Sequence, residues 1–289
     1  MPRMRLRKNK NLTDIFDNKP EITIGADPEL FLYNTRTLTF ESVHLYLQSY
    51  NKWNPLPVPR GAIQADGVAA EFNITPAKSR QEFMKSVTHV QRLLARYIAN
   101  QNPDVVLVAA PVVYFSPKYF ENLPSHVREL GCNPDYNAYT GLANKKPETD
   151  KPMRTGSGHI HIGWMETQLE NAMAEEHFSD CCKMTEKLDW LLYNSSIEWD
   201  KNEERRVLYG APGAFRPKKY GLEYRVLSCA WLNNPQTKMF VYDAAKAIAS
   251  IHLANTPLDT SITPQTTSMK EFLASVAKQK LPNIQNYLG

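Results

Sequence analysis

The sequence predicts one α+β domain, because short stretches of strand-like alternation are interspersed with helical periodicity and neither a composition shift nor an internal repeat divides the 289 residues. The first twenty residues, which end at Pro20, are basic and irregular. A mobile terminus is the usual outcome for such a segment. We therefore expect a flexible arm over residues 1–20 and a single domain over residues 21–289.

The strand candidates are segments with strand-like alternation of apolar residues or, at Asp104–Phe115, a run rich in β-forming residues. In chain order they are Glu21–Tyr33, Arg36–Val43, Val68–Thr75, Asp104–Phe115, Arg154–Trp164 and Tyr220–Cys229. The Pro-rich stretch Asn54–Arg60 is expected to be a loop. Residues Ser116–Met153 show little periodicity and many turn residues, so we expect a loop that covers a substrate.

Three segments carry helical periodicity. The first follows Ser79, which forms a capping-box pattern with Glu82. Its apolar positions are Phe83, Val87, Val90, Leu94 and Ile98. Thr167–Trp199 is also predicted to be helical, with a break near Phe178. The third helix has proline in its first turn and covers Pro235–Ala254.

The composition is that of an ordinary globular protein, with 42% hydrophobic and 22% charged residues. The apolar runs are too short to cross a bilayer, and the basic N-terminus lacks the apolar segment of a secretory signal. We therefore expect a soluble cytoplasmic protein without a membrane partner. The four cysteines form no CxxC pair, and the net charge of +4 includes no long basic run with interleaved aromatics. A zinc site, a disulfide framework and a nucleic-acid partner are therefore not expected.

Four of the strand candidates carry two polar residues two positions apart, which a strand directs to one face. The pairs are Asp27 with Glu29, Glu71 with Asn73, His159 with His161, and Glu223 with Arg225. The residues between them are apolar, as at Phe72, Ile160 and Tyr224, and are expected to face helices. One sheet face is therefore predicted to gather carboxylates and imidazoles.

Carboxylates gathered in this way repel each other and lose ionisation unless cations neutralise them. Mg²⁺ or Mn²⁺ suits oxygen-rich ligands better than zinc does. Basic residues near the same segments suit the oxygens of a polyphosphate. They are Arg154, Arg205, Arg206, Arg216, Lys218 and Lys219, and glycines at Gly156, Gly158, Gly210 and Gly213 are expected to let the backbone approach a ligand. Because no Walker or Rossmann glycine motif is present, we predict metal-bridged phosphoryl chemistry on an open sheet.

The four segments occur in an order that resembles the glutamine synthetase and glutamate–cysteine ligase superfamily, and most of all its phage-type COOH–NH₂ ligase (carboxylate–amine ligase) branch. Gly25–Tyr33 resembles the first metal strand, and Asp66–Gly67 with Glu71 resembles the second. Gly156–His161 resembles the Gly-rich histidine strand, and Leu222–Arg225 the Glu-x-Arg strand. The resemblance implies a curved, mainly antiparallel sheet with helices packed on one face, as in a glutamine synthetase catalytic domain.

The resemblance also implies an ATP-dependent ligase that forms an amide or peptide bond through an acyl phosphate. ATP and Mg²⁺ or Mn²⁺ are the implied cofactors, and small-molecule or peptide carboxylates and amines the implied substrates. By position, the implied metal ligands are Glu29, Glu71, His159 and Glu223, with Asp27 as an addition. The implied catalytic residues are Arg225, which would stabilise the transferring phosphoryl group, and Arg216. Nucleotide or phosphate contacts are expected from Arg216, Lys218, Arg225, Arg154 and His161.

Several questions stay open at this level. Residues 1–20 are too short for the N-terminal β-grasp domain of glutamine synthetases, and the second strand has one clear carboxylate where those enzymes use two. Asp66, Glu148 and Asp135 are candidate general bases, although Asp66 with Gly67 mainly indicates a turn.

The substrates and the oligomeric state also stay open, although this superfamily often forms homo-oligomers. If a phage encodes the protein, the host cytoplasm is its expected location. Alternative functions are a metal-dependent hydrolase, a guanidino-kinase-like phosphoryl transferase, and a non-catalytic phage structural or host-takeover protein.

Overall fold

The computed structural model describes residues 21–129, 135–148, 151–165, 169–279 and 281–287. The predicted flexible arm over residues 1–20 and Cys132 lie outside the described residues. The described strands are β1 Thr23–Ala26, β2 Glu29–Asn34, β3 Thr39–Glu41, β4 Leu56–Val58, β5 Gly61–Asp66, β6 Ala69–Ile74, β7 Val105–Val108, β8 Val112–Tyr114, β9 Tyr136–Asn137, β10 Met153–Thr155, β11 Ile160–Gly163, β12 Ala214–Lys218 and β13 Gly221–Tyr224.

The helices lie between and after these strands. They are α1 Arg80–Gln101, α2 Pro117–Glu121, α3 Ser125–Arg128, α4 Glu175–Leu188, α5 Glu203–Leu208, α6 Pro235–Leu253 and α7 Met269–Lys278. Helix α4 continues through a π-helical turn at Asp189–Tyr193 and a last turn at Asn194–Ser196. Short 3₁₀ turns occupy Val43–Leu45, Cys229–Asn233 and Ile284–Tyr287. Within the described ranges, no helix is both long enough and apolar enough to cross a membrane.

The α+β class and the antiparallel pairing are confirmed, but the strands within the described residues form three sheets and not the single shared sheet expected from the sequence. One sheet has the order β1–β11–β13–β12–β9. The second has the order β3–β2–β6–β5–β4, with β7 also paired to β2, and β10 pairs with β8 alone. The predicted strand Glu21–Tyr33 is divided at Asp27 and Pro28, so that β1 belongs to the first sheet and β2 to the second. Proline lacks the N–H that a continuous ladder needs at this point.

Helices α1, α4 and α6 pack against the apolar side of the first two sheets. The five apolar positions predicted for α1 are all fully buried, and Ser79 caps the helix by accepting a hydrogen bond from the Glu82 N–H at 3.2 Å. The Glu82 carboxylate accepts from the Lys78 N–H at 2.9 Å, one residue before the position that a capping box uses. Burial of each large apolar side chain in this stripe contributes about 1.5–3 kcal/mol.

A second, smaller core lies on the other side of β2, so helices do not pack on one face only. Its buried members are Phe31, Val68, Ala69, Val113, Phe115, Phe120, Leu123 and Val127. Helices α2 and α3 contribute Phe120 and Val127, and Leu123 lies in the turn between them, although this region was predicted to be loop. The Ser116–Met153 segment therefore includes a packed part, which begins at α2.

Two strands that contain proline were missed. Pro57 lies in β4, which pairs only with β5, and Pro217 lies in β12 beyond the two residues that pair with β9. Both prolines therefore occupy edge positions, where the missing N–H costs no ladder bond. The expected helix break near Phe178 is also wrong, because α4 runs without interruption from Glu175 to Leu188.

Candidate metal and phosphate site

Most of the predicted site residues line one cavity of about 200 Å³ between residues of the first two sheets and of β10. They are Asp27, Glu29, Glu71, Arg154, His159, Arg216, Lys218, Glu223 and Arg225. His161 does not line this cavity but lines a second one of about 450 Å³, together with Asp27, Glu71 and Asn73. The structure therefore brings together the polar pairs that the sequence placed on separate strands.

One group of carboxylates consists of Glu29, Asp66 and Glu71, which offer oxygen atoms within 4.8 Å of one another. The strand register causes this, because Glu71 of β6 lies opposite Glu29 of β2 on one side and Gln64 of β5 on the other. Gln64 donates a hydrogen bond to Glu71 Oε1 at 2.9 Å. Asp66 lies two residues after Gln64 on the same strand and therefore shares its face.

The environment of this group disfavours its negative charge. Burial raises the pKa of Glu29 to about 7, with a further rise from the charge of Asp66. Burial, together with the charges of Asp27, Asp66, Glu29 and Glu223, holds the pKa of Glu71 well above its ordinary value. The pKa of Asp66 is also raised, mainly by burial. A bound divalent cation would remove this repulsion.

A second group consists of Asp27, His161 and Glu223, again with ligand atoms within 4.8 Å of one another. His161 is opposite Glu223 in the register of β11 and β13. Its Nε2 lies 3.0 Å from Asp27 Oδ1, and its Nδ1 lies 2.5 Å from the Tyr220 hydroxyl oxygen. His159 precedes β11, and its Nδ1 lies 3.5 Å from both Asp27 Oδ1 and Glu223 Oε1. Both histidines therefore contact the same aspartate.

The two histidines differ in charge preference. Burial and the nearby Arg225 guanidinium lower the pKa of His159 to about 4, which leaves the imidazole neutral and able to donate a lone pair to a metal. Burial acts in the same direction on His161, but the charge of Asp27 outweighs it and raises the pKa of His161. For Asp27 itself, burial opposes ionisation, yet His161 and His159 hold its pKa well below the ordinary value.

Three cationic side chains meet at Glu223, which is almost completely buried. Lys218 Nζ lies 2.6 Å from Oε2, Arg216 Nη1 lies 3.2 Å from the same oxygen, and Arg225 forms an ion pair with Oε1. Burial and the charge of Asp27 oppose ionisation of Glu223, but His161, His159 and Lys218 outweigh them and lower its pKa.

Arg225 also contacts the loop before β9. Its Nε donates to Asp135 Oδ2 at 3.1 Å, and its guanidinium lies over the Tyr209 ring at 5.3 Å from the centroid. Asp135 is thus engaged in an ion pair, which argues against the general-base role considered for it. Glu148 is exposed and is not among the residues that line the cavity. Asp66 alone of the three candidate bases lines the cavity.

The donor set fits a divalent cation of the magnesium type. Asp27 Oδ1 is buried, and its contacts with His161 Nε2 at 3.0 Å and His159 Nδ1 at 3.5 Å do not have the geometry of a hydrogen bond. A divalent cation would supply the bond that this buried oxygen lacks. Three glutamates and two aspartates supply oxygen ligands here and only imidazole supplies nitrogen, a composition that suits Mg²⁺ or Mn²⁺.

The loop between β10 and β11 holds Glu29 in place. Its Ser157 N–H donates to Glu29 Oε2 at 2.9 Å, and the Glu29 N–H donates to the Ser157 carbonyl at 2.8 Å. The glycines beside Ser157 were predicted to admit a ligand, but they instead admit the protein's own main chain. A Cβ on Gly156 would lie 2.6 Å from the Ala110 carbonyl oxygen, and one on Gly158 would lie 2.3 Å from the Ser228 carbonyl oxygen.

The structure also corrects part of the predicted polyphosphate cluster. Arg205 is fully buried and donates to the carbonyl oxygens of Val226 at 2.7 Å, Leu227 at 2.8 Å and Gly156 at 3.2 Å. Arg205 thereby connects the segment that follows β13 to the loop at Gly156, and it does not line the cavity. Arg206 and Lys219 do not line it either. Gly210 lies beside Arg205, because a Cβ there would be 2.4 Å from Arg205 Nη1.

Asp66 was predicted mainly to form a turn, with a general-base role as a further candidate, and was not among the predicted metal ligands. Gly67, with φ of +57°, confirms the turn, but Asp66 also completes the first carboxylate group. Gln64, Ser157 and Tyr209 were missed as well. The two-residue spacing of Gln64 and Asp66 could have indicated that both side chains lie on one face of a strand, but this required recognising β5 as a strand.

Comparison with known proteins bears on the C-terminal half of this site. Residues 154–272 match the family model described as Phage phiEco32-like COOH.NH2 ligase-type 2. The matched region includes Arg154, both histidines of the site, Glu223, and the three cations that contact Glu223, which are Arg216, Lys218 and Arg225. The first carboxylate group, on β2, β5 and β6, precedes it. No curated protein matches the chain. The similarity to this ligase-type 2 family supports a ligase function.

Proposed function

We propose that the protein is an ATP-dependent carboxylate–amine ligase that forms an amide bond through an acyl phosphate. The observation that carries the proposal is the meeting of two carboxylate groups with Arg216, Lys218 and Arg225 in one cavity. Carboxylates alone would suit metal binding, and cations alone would suit any anion. Their combination suits a metal-bound polyphosphate, and the name of the matched family indicates the bond formed.

Glu29, Glu71, Glu223, His159 and Asp27 would hold Mg²⁺ or Mn²⁺. These ions, when bound, would neutralise phosphate oxygens and orient the phosphoryl group for transfer. Glu29 is fixed by Ser157 and Glu71 by Gln64, so the two carboxylates are oriented before a ligand arrives. His159, with its lowered pKa, is the imidazole suited to ligation, whereas His161 is engaged at both ring nitrogens and would orient its neighbours.

Arg225 and Arg216 would stabilise the phosphoryl group as negative charge moves through it, and Lys218 would neutralise the nucleotide phosphates. All three contact Glu223 in the described structure, so their positions are set without a ligand. Preorganised charge of this kind stabilises a transition state without the cost of reorganising it. Arg225 is further held by Asp135 and Tyr209, which favours it for the central role.

The reaction proceeds in two displacements. An oxygen of the substrate carboxylate attacks the γ-phosphorus of ATP, the bond to the β-phosphate oxygen breaks, and ADP leaves. The amine nitrogen then attacks the acyl carbon, the bond between that carbon and the phosphate oxygen breaks, and inorganic phosphate leaves. Asp66 lines the cavity and its pKa is raised, so it is suited to accept the proton that the amine loses.

The test is ADP release by the full chain with Mg²⁺ or Mn²⁺, measured across a panel of paired carboxylates and amines. Mass spectrometry would identify an adduct whose mass is the sum of both partners less one water. ADP release that requires both partners, with that adduct, is the expected result. Release that requires one partner alone would indicate a kinase, and hydrolysis of an amide without ATP would indicate a hydrolase; either outcome contradicts the proposal.

A further inference from the structure

A third cavity, of about 350 Å³, adjoins the metal-bearing cavity at the turn that ends β5. Both cavities are lined by Lys52, Asp66, Gly67 and Glu129. Asp66 also belongs to the first carboxylate group, so the third cavity begins directly beside the proposed metal ligands. We call it the Trp53 cavity, after the tryptophan that lines it beyond this shared part.

Trp53 lies at the tip of a tight turn between Asn51 and Asn54. The main chains of Asn51 and Asn54 exchange hydrogen bonds of 3.3 and 2.9 Å, and the Trp53 N–H donates to Asn51 Oδ1 at 2.9 Å. The same segment is joined to β5, because the Ala65 N–H donates to the Tyr50 carbonyl oxygen at 2.9 Å. The indole is 83% exposed and therefore contributes little to the core, yet the turn fixes its place at the cavity.

The lining of the Trp53 cavity combines apolar and aromatic surface with an excess of carboxylates. Leu47 and Val127 are almost fully buried and form an apolar part of the wall, and Tyr50 and Trp53 add two rings. Its ionisable residues, among those described, are Asp66, Glu129, Lys52, His44 and His126. Lys52 Nζ lies 5.1 Å from the centroid of the Trp53 ring, so this ring already contacts a cationic nitrogen. These surroundings suit a cation with an aromatic or apolar body and disfavour an additional anion.

The size of the Trp53 cavity distinguishes between ammonia and a larger amine as its occupant. A single water molecule, which is similar to ammonia in size, needs about 10–15 Å³ of cavity volume. Sites that enclose an organic ligand typically have volumes of about 300 Å³ or more. The volume of about 350 Å³ is therefore in the range of an organic ligand, and ammonia would fill only a small part of it.

We infer that the Trp53 cavity binds the amine substrate, and that this substrate is an organic amine with an aromatic or apolar body and no carboxylate beside the amine. This inference rests on the proposed function, because it takes the metal-bearing cavity as the place where the acyl phosphate forms. The amine nitrogen passes Asp66 to reach that cavity and forms the bond to the acyl carbon. The bond from that carbon to the phosphate oxygen breaks, phosphate leaves, and the proton of the amine goes to Asp66. Trp53 selects the amine by stacking on its body, an interaction that ammonia cannot make.

The experiment compares the wild-type chain with W53A, W53F and Y114A. Binding of phenethylamine, phenylalanine and ammonium chloride is measured by calorimetry in the presence of Mg²⁺ and ADP. Y114A is the matched control, because Tyr114 is a 52% exposed aromatic residue that lines neither cavity. We expect W53A to weaken phenethylamine binding by about fivefold or more, and W53F to weaken it less because a ring is kept. Y114A should match the wild type.

The other two ligands test the charge and the size of the occupant. Phenylalanine should bind more weakly than phenethylamine, because its carboxylate meets Asp66 and Glu129. Ammonium binding should be the same in the wild type and W53A. In the ADP-release assay, W53A should raise KM for phenethylamine and leave kcat little changed, since Trp53 does not contact the reacting atoms.

The inference would be overturned by any of four results. They are absent phenethylamine binding by the wild type, equal binding by the wild type and W53A, phenylalanine that binds as tightly as phenethylamine, and ADP release that ammonium supports but phenethylamine does not. Because Trp53 is exposed, W53A should fold, and an unchanged melting temperature checks this. Failure of the proposed function is distinguishable, since ADP release would then be absent with every amine while Trp53-dependent binding of phenethylamine persisted.

Discussion

Glu29 and Ser157 are joined by two reciprocal hydrogen bonds, one from the Glu29 main chain to the Ser157 carbonyl and one from the Ser157 main chain to the Glu29 carboxylate. The two residues are 128 positions apart in the chain. They connect the start of β2 with the loop that precedes His159, and so bring the first carboxylate group against the histidine segment. This contact aligns the two halves of the site.

Replacement of Glu29 by glutamine should abolish ATP turnover without unfolding the protein. The amide oxygen can still accept the Ser157 hydrogen bond, so the local fold is kept. Because burial and neighbouring carboxylates raise the pKa of Glu29 to about 7, a neutral side chain also relieves repulsion in the metal-free protein. The melting temperature without metal should therefore be equal to or above that of the wild type.

The matched measurement for this variant is the rise in melting temperature caused by Mn²⁺. The wild type should be stabilised by Mn²⁺ and the Glu29→Gln variant should lose most of that rise. Glu82→Gln, at an exposed helix-capping position, serves as a control and should keep both the rise and the turnover. Retained ATP turnover in Glu29→Gln would contradict the metal assignment.

Arg225→Lys should lower ATP turnover by about a hundredfold or more, an effect typical of arginines that stabilise a transferring phosphoryl group. Lysine cannot contact Glu223 and Asp135 together and cannot cover the Tyr209 ring in the same way. The reduction should appear mainly in kcat, since Lys218 and Arg216 would still attract the nucleotide. Asp135→Asn, which leaves Arg225 and Glu223 paired, is the control and should reduce kcat less. Equal kcat values for Arg225→Lys and wild type would exclude the catalytic role.

Elements with strong local signals could be predicted from the sequence. Helix α1 combined a cap at Ser79 with five apolar residues at helical spacing, and all five are buried. Strand β5 was missed because it follows a Pro-rich stretch that also forms strand β4. Its partner β6 was found, but the register that places Gln64 and Asp66 beside Glu71 depends on pairing between strands, which local patterns do not contain.

Residue types predicted a site with carboxylates and cations, but they did not distinguish the arginines that line the cavity from those that stabilise the fold. Arg205 and Arg216 are both near Glu223 in sequence, yet Arg205 is fully buried against main-chain carbonyls and Arg216 faces the cavity. The difference arises from position in the fold. Arg205 lies on α5 and contacts the carbonyls of Val226 and Leu227, which follow β13. Arg216 lies opposite Glu223 in the pairing of β12 with β13. Such a distinction requires the tertiary fold.

Arg205→Met should therefore destabilise the protein, because the Val226 carbonyl loses the hydrogen bond from Arg205, while the Leu227 and Gly156 carbonyls keep the N–H groups of Gly158 and Cys229 as donors. One buried group left unsatisfied costs about 1–3 kcal/mol, and a loss of that size is expected in the free energy of unfolding. Urea denaturation measures it. Lys219→Met, at an exposed position nearby, should change stability little. A stable Arg205→Met protein with weakened ATP binding would instead restore Arg205 to the phosphate site.

Asp189, in the π-helical turn after α4, predicts a pH dependence of stability that is separate from the metal site. Burial raises its pKa to about 7, against the opposing hydrogen bonds from the Tyr224 hydroxyl at 2.7 Å, the Tyr139 hydroxyl at 2.9 Å and the Gly213 N–H at 2.6 Å. An unfolded aspartate titrates near ~3.9, so between about pH 4 and pH 7 the folded state holds a proton that the unfolded state has lost. The free energy of unfolding should consequently fall as the pH rises through this window and level off above it.

The Asp189→Asn variant isolates this contribution, because asparagine does not titrate. Urea denaturation of both proteins at pH 5, 6 and 7.5 should give a wild-type curve that falls more steeply with pH, by up to about 1.4 kcal/mol per unit for one proton. The sign is the decisive quantity, since other groups titrate equally in both proteins and cancel in the difference. A wild type whose stability rises relative to Asp189→Asn across this range would mean that the two tyrosines and Gly213 favour the carboxylate more than burial disfavours it.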